Sequence, residues 1–226
     1  MKTALITGAN RGIGLEMVRQ LKEKGYYTIG CCRMPEKASA LQALADEVIP
    51  LDVTQDKDIA SLVHALKGRA IDLLVNNAGT SGASGVTIGN IDRDNFLAVL
   101  NVNCLSVVKV SEALLPNLQA SQEKNILVLS SRMGSISDND SGKSYAYRSS
   151  KAALNCVMRS FAIDVADKGI HVVLMHPGWV KTDMGGNGAL VDVKTSVAGM
   201  LKQAEEVFPK GLAEALYRFD GGVIPW

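Results

Sequence analysis

At 226 residues with a net charge of +1, the chain is long enough for one domain with a substantial core and short for two. Its charges balance and only 5% of its residues are aromatic, so it offers neither an electrostatic footprint for nucleic acid nor a platform for stacked bases. Cys31, Cys32, Cys104 and Cys156 have no CxxC or metal-ligand spacing, so no metal is expected; reduced, buried thiols in a cytoplasmic protein are. The start of the chain runs straight into Thr3-Ala4-Leu5-Ile6 without a signal-type apolar region. No apolar run is expected to reach the roughly 20 residues that span a bilayer.

In chain order, short β-rich runs alternate with longer helical patterns. Strands are predicted at residues 2–7, 27–31, 47–51, 71–75, 125–130 and 170–176. Helices are predicted near 13–24, 36–45, 55–67, 92–121, 145–168 and 192–206, and residues 216–226 offer a further edge strand. Several strand runs are continuously apolar, such as Leu73-Leu74-Val75 and Ile126-Leu127-Val128-Leu129. Strands of a parallel sheet buried on both faces read this way. The fold class expected is therefore α/β: one doubly wound parallel sheet with helices on both faces and no internal domain boundary.

Three motifs carry chemistry. The first strand runs into Thr7-Gly8-Ala9-Asn10-Arg11-Gly12-Ile13-Gly14, followed by a helical pattern. Glycines there permit a tight turn and a close approach to a pyrophosphate, and the helix N-terminus offers N–H groups and a positive dipole end. Asn76-Asn77-Ala78-Gly79 directly follows the fourth strand. Tyr147 and Lys151 lie four residues apart in a helical run, so both side chains leave one face. An ammonium beside a phenol is expected to lower the phenol's pKa and ready it as a proton donor.

These motifs, in this order, resemble the short-chain dehydrogenase/reductase family, and the resemblance covers essentially the whole chain. The stretches Pro177-Gly178-Trp179-Val180-Lys181-Thr182-Asp183-Met184 and Gly221-Gly222-Val223-Ile224-Pro225-Trp226 are further similar to its short branch containing C-factor and the sniffer-type carbonyl reductases. The resemblance implies a Rossmann-type fold that binds a nicotinamide dinucleotide. It places Gly8, Asn10, Arg11, Gly12, Ile13, Gly14, Asp52, Val53, Asn77, Ala78, Gly79, Tyr147, Lys151, Pro177, Gly178, Val180 and Thr182 around that cofactor, with Asn76 stabilising the sheet. At the end of the second strand, the acidic residue that would select NAD is replaced by Cys32, and Arg33 follows. Two guanidinium groups, Arg11 and Arg33, suit the 2′-phosphate of NADPH/NADP+.

Hydride transfer to a carbonyl needs a held donor, a proton for the developing alkoxide and a group that polarises the oxygen. Tyr147 is the expected acid, with Tyr145 as a rival, and Lys151 its partner and ribose ligand. Ser130, Ser131 and Ser135 compete as the polarising hydroxyl. Ser131 matches the family pattern, three residues before Gly134, and Ser130 should point to the opposite face of its strand. Asn103 resembles the asparagine that holds a water beside the lysine, with Asn101 as the alternative. His176 is read as structural. Met133, Trp179, Met184 and residues 185–191 are expected to line the substrate pocket, the last as a small or mobile lid.

The function expected is reduction of a ketone, aldehyde or quinone by a homodimer or homotetramer built through the long helices near 92–121 and 145–168, with no nucleic-acid or membrane partner. The competing class is a nucleotide-binding sensor or signalling protein of C-factor type. Sugar-nucleotide epimerases share the Tyr–Lys pair but need a larger C-terminal substrate domain than this sequence holds.

Overall fold

Alternation along each strand sends apolar side chains to both faces of one sheet, and the two faces build two separate cores. The computed structural model describes residues 1–186 and 188–226. In β1 (Thr3–Thr7), Leu5 leaves one face while Ala4 and Ile6 leave the other. β4 (Leu73–Asn76) repeats the pattern with Leu74 against Leu73 and Val75, as do β5 (Asn125–Leu129) and β6 (His171–His176). The remaining strands are β2 (Tyr27–Cys32), β3 (Glu47–Pro50), β7 (Leu212–Arg218) and β8 (Val223–Ile224). Among the described residues the sheet order is β3-β2-β1-β4-β5-β6-β7-β8, parallel except for the last pair.

Helices cover both faces. α1 (Gly12–Glu23) buries Gly14, Met17, Val18 and Leu21, an i, i+3, i+4, i+7 stripe. It shares its core with α2 (Ser39–Leu44) and α8 (Val193–Val207). The opposite face is covered by α3 (Asp56–Ala65), α5 (Ser106–Ala113) and α7 (Tyr145–Asp164). Asp92 caps α4 (Arg93–Leu100) by accepting from the Asn95 N–H, and Asp192 caps α8 by accepting from the Thr195 N–H at 2.8 Å. A short α6 (Leu115–Gln119) starts with Pro116 in its first turn, where a missing N–H costs nothing.

The chain crosses from one side of the sheet to the other between β3 and β4, which makes β1 and β4 neighbours. Open α/β sheets bind ligands outside the C-terminal strand ends at such a reversal. The glycine loop after β1 and the Asn76–Gly79 turn after β4 both lie there.

Three elements differ from the sequence reading. The single helix expected over 92–121 is divided: α4 passes through a π-helical turn, Asn101–Leu105, into α5, and α6 follows. Second, β7 begins at Leu212, inside a run of Leu, Ala and Glu that local propensity assigns to helix. Its pairing with β6 shifts register between Val172 and Leu174, and Ala213 takes φ = 49°. That bulge erases the simple alternation that would mark a strand. Third, Arg93–Ala113 is long and apolar enough to cross a membrane by length and composition, contrary to the expectation that no such run exists. Here it lies on the sheet and α7, burying Val99, Cys104, Val107 and Val110.

Candidate active site

Thr7, the last residue of β1, locks the two loops at the reversal point together. Its Oγ1 accepts from the N–H groups of Asn77 and Ala78, both at 3.1 Å, and donates to the Val75 carbonyl at 3.4 Å. Asn77 returns the contact, donating from Nδ2 to the carbonyls of Thr7 and Gly8 at 2.9 Å. Its amide nitrogen therefore shapes the glycine loop, and contact with a cofactor is left to its amide oxygen and backbone. Asn76 donates to Ser111 Oγ at 2.9 Å, tying β4 to α5. Gly14 has no substitute in this packing: a Cβ there would lie 2.3 Å from the Gly8 carbonyl oxygen.

The loop delivers a bare helix end. Arg11, at the N-cap of α1, is extended and makes no side-chain cap, and the first turn holds no acidic residue. The leading N–H groups and the positive dipole end are thus available to an anion. Asn10, Arg11 and Arg33 are exposed and Gly12 and Ile13 half-buried. Cys32 is buried at the end of β2 and carries no charge to repel a phosphate there. Burial opposes ionisation of Asp52. The hydroxyl and N–H of Thr54, at 2.7 and 3.0 Å, with the charges of Arg33 and Lys57, nevertheless hold its carboxyl below the usual range. Val53 packs its side chain on the α3 and α5 core.

At the C-terminal end of β5, the chain places Ser131 beside Tyr147. Ser131 caps a short 3-10 turn, Arg132–Gly134, by accepting from the Met133 N–H at 3.1 Å. Gly134 lets that turn lie on α7, since a Cβ would sit 2.8 Å from the Lys151 carbonyl carbon. Ser130 points the other way, as expected, and its Oγ lies 2.5 Å from Asn155 Oδ1. Ser135 is turned toward its own loop, accepting from the Asp138 N–H at 3.1 Å. Tyr145 and Tyr147 line a small cleft with Val86, Ile91 and Phe96. Nothing in the sequence motifs marked that segment as part of the site.

The expected effect of Lys151 on the phenol is not met. Burial pushes the Tyr147 phenol up, and the Ser131 hydroxyl alone pulls it down. Lys151 Nζ stands 6.0 Å from the Tyr147 ring centre and donates to the Leu129 carbonyl at 2.9 Å. Burial brings its own pKa down to about 8. A phenol that stays protonated is the form a proton donor needs, so the correction leaves its candidacy intact.

Asn103 lies fully buried in the π turn. Its Oδ1 accepts from the Thr80 N–H and its Nδ2 donates to the Thr80 carbonyl, both at 2.8 Å, and to Ser150 Oγ at 3.0 Å. The side chain thus clamps the β4 loop to α7, and a π turn shifts backbone carbonyls out of the α-helical pattern. Thr80 and Ser150 escaped sequence reasoning because their partners lie 23 and 47 residues away.

After β6, Pro177 is held by Ser196 Oγ at 2.6 Å, and Gly178 takes φ = 88° against Phe219. The loop closes on itself. Val180 bridges Val191, Trp179 Nε1 donates to the Gly185 carbonyl at 2.8 Å, and Thr182 Oγ1 accepts from the Gly185 N–H at 3.1 Å. Of the residues 185–191 expected to form a lid, Asn187 lies outside the described residues. Trp179 and Met184 are both about half exposed, at 54% and 52%, and Met133 is partly buried beside Ser131. His176 is kept neutral, its pKa lowered to about 4 by burial and by Arg218 and Arg132, in keeping with a structural role.

Lys151 makes stability depend on pH. Its folded pKa lies below its unfolded value, so between about pH 8 and 10.5 the unfolded chain binds more protons. Stability from this group therefore rises with pH across that window and is flat below it. The unfolding free energy of the parent chain relative to Lys151→Met, from urea titrations at pH 7 to 10, is expected to increase above pH 8. A flat difference would assign Lys151 an ordinary pKa.

The sequence profile of the short chain dehydrogenase family matches residues 2–189. C-signal of Myxococcus xanthus is 38% identical over 156 residues, covering 69% of this chain and 93% of its own. The NADPH-bound carbonyl reductase from chicken fatty liver superposes with a TM-score of 0.90 at 35% identity, over 100% of this chain and 99% of that one. The carbonyl reductase Sniffer of D. melanogaster does so with a TM-score of 0.90 at 32% identity, over the full length of both chains. With its doubly wound sheet, glycine loop and Tyr147–Lys151 helix, the chain belongs to the short chain dehydrogenase family.

Proposed function

We propose that the chain, acting as one nucleotide-binding domain over residues 1–226, is an NADPH-dependent reductase of ketones, aldehydes or quinones in the cytoplasm. The observation that carries this reading is the convergence of Ser131, Tyr147 and Lys151 at the end of β5, on the same C-terminal edge of the sheet from which the uncapped α1 follows β1. The bare helix end and the locked glycine loop fit a pyrophosphate, and Arg11 and Arg33, with no carboxylate at Cys32, fit a 2′-phosphate. Carbonyl reductases of known structure, one with NADPH bound, share the fold over the whole chain.

When bound, NADPH supplies the hydride. Ser131 Oγ holds the substrate oxygen and polarises the carbonyl. Tyr147 Oη donates the proton to the alkoxide as it forms. Lys151 Nζ spends one of its donors on Leu129, and its remaining donors would be free to hold the nicotinamide ribose. The Asn103 backbone in the π turn would hold a water linking Lys151 to solvent, so that the proton given up by Tyr147 could be replaced. Pro177, Gly178, Val180 and Thr182 would border the nicotinamide, Asp52 and Val53 the adenine, and Ala78 and Gly79 the middle of the cofactor. Met133, Trp179 and Met184 border the substrate.

A signalling role with little turnover is the second reading, favoured by the likeness to C-signal. The two part on turnover: NADPH oxidation with any member of a ketone, aldehyde and quinone panel supports the reductase, and binding without turnover supports the sensor.

In such a panel Tyr147→Phe is expected to lose at least about 100-fold in kcat while NADPH affinity stays within about threefold. Lys151→Ala is expected to lose kcat and weaken cofactor binding together. Near-parental kcat for Tyr147→Phe would remove it as the acid. NADPH should exceed NADH in kcat/KM by at least tenfold, and equal values would contradict the two-arginine assignment. Leu97, Leu105 and Ile163 expose 55, 54 and 56% of their surface on α4, the π turn and α7, which supports a homodimer or homotetramer through these helices. A monomer in sedimentation at micromolar concentration would exclude it.

A further inference from the structure

One of the two arginines assigned to the 2′-phosphate is already engaged. Arg11 Nη1 lies 2.7 Å from Asp183 Oδ2, although the residues are 172 positions apart. Arg11 belongs to the glycine loop and Asp183 to the loop after β6, so the pair joins the two walls of the cofactor cleft. A second contact brings the same walls together: a Cβ on Gly12, which takes φ = 53°, would lie 3.3 Å from Thr182 Cγ2. Arg33 is placed differently. It makes no ion pair among the described residues, and Asp52 reaches it only through its charge.

We infer that Asp183 is a determinant of cofactor specificity: its carboxylate pairs with Arg11 and must be displaced by the 2′-phosphate of NADPH. This rests on the assignment of Arg11 to that phosphate. A carboxylate and a phosphate oxygen compete for the same guanidinium donors. NADH presents a ribose hydroxyl at that position and has no such exchange to make. The pair therefore lowers NADPH affinity and leaves NADH affinity alone. Both side chains are largely exposed, at 70% and 77%, so the competition is worth a few-fold in affinity and no more.

The test is direct binding of NADPH and of NADH, followed by the fluorescence of the bound nicotinamide, for the parent, Asp183→Asn, Arg11→Ala and the double variant. Asp183→Asn keeps the side chain's size and removes its charge. It is expected to tighten NADPH about two- to fivefold, leave NADH unchanged, and have no effect in the Arg11→Ala background. An unchanged or weaker NADPH affinity overturns the inference. So does equal tightening for both cofactors, or tightening that persists without Arg11, since either reports a general charge effect. Arg11→Ala alone separates the two levels. If it fails to weaken NADPH relative to NADH, the phosphate assignment falls and the competition with it. If it weakens NADPH while Asp183→Asn changes nothing, only the competition falls.

Discussion

The site depends on a buried ammonium. Lys151 is 6% exposed, and among the described residues its ammonium makes one hydrogen bond, to the Leu129 carbonyl. A charge in that position is costly unless it is well partnered, and here burial brings the lysine's pKa to about 8. The architecture around it accommodates that cost. Gly134 lets the Ser131 turn lie flat on α7 at Lys151, Ser150 bonds Asn103 one residue before it, and Asn103 holds Thr80. Ser131, the β4 loop, the π turn and α7 are thus fixed relative to one another by polar contacts around one lysine. Dinucleotide oxygens in the cleft would provide the acceptors that its remaining donors lack.

The same placement explains why the phenol's protonation does not depend on the ammonium. Their separation of 6.0 Å to the ring centre is long for a strong charge effect, and the Leu129 carbonyl draws Nζ away. Tyr147 feels burial and Ser131, and stays protonated. The serine, more than the lysine, is the group that acts on the phenol.

What the sequence made legible was local or regular. Thr7 to Gly14, Asn76 to Gly79 and Tyr147 to Lys151 are contiguous, so their geometry follows from a turn or a single helical period. The two-faced strands were legible because β4 and β5 are apolar at every position from Leu73 to Val75 and from Ile126 to Leu129. The parts that escaped are long-range or irregular. The start of β7 hides behind the Ala213 bulge. The π turn cannot be seen in a helix-forming run. The Asn103–Thr80 clamp needs the β4 loop and α4 to be in place first. The true use of the Asn77 amide, on Thr7 and Gly8, is set by the packing of two strands distant in sequence.

The apolar run Arg93–Ala113 joins these themes. One side of it is core: Val99, Cys104, Val107 and Val110 face the sheet and α7. Its middle carries Asn103, bonded to Thr80 and Ser150, a polar clamp that serves a site and would be out of place facing lipid. Its outer side leaves Leu97 and Leu105 in water, in company with Ile163 of α7. A helix apolar on both sides is stable when both are covered, and the fold covers one. The covered side is also the side that reaches the site, since the Asn103 amide in the π turn bonds Ser150, the residue before Lys151.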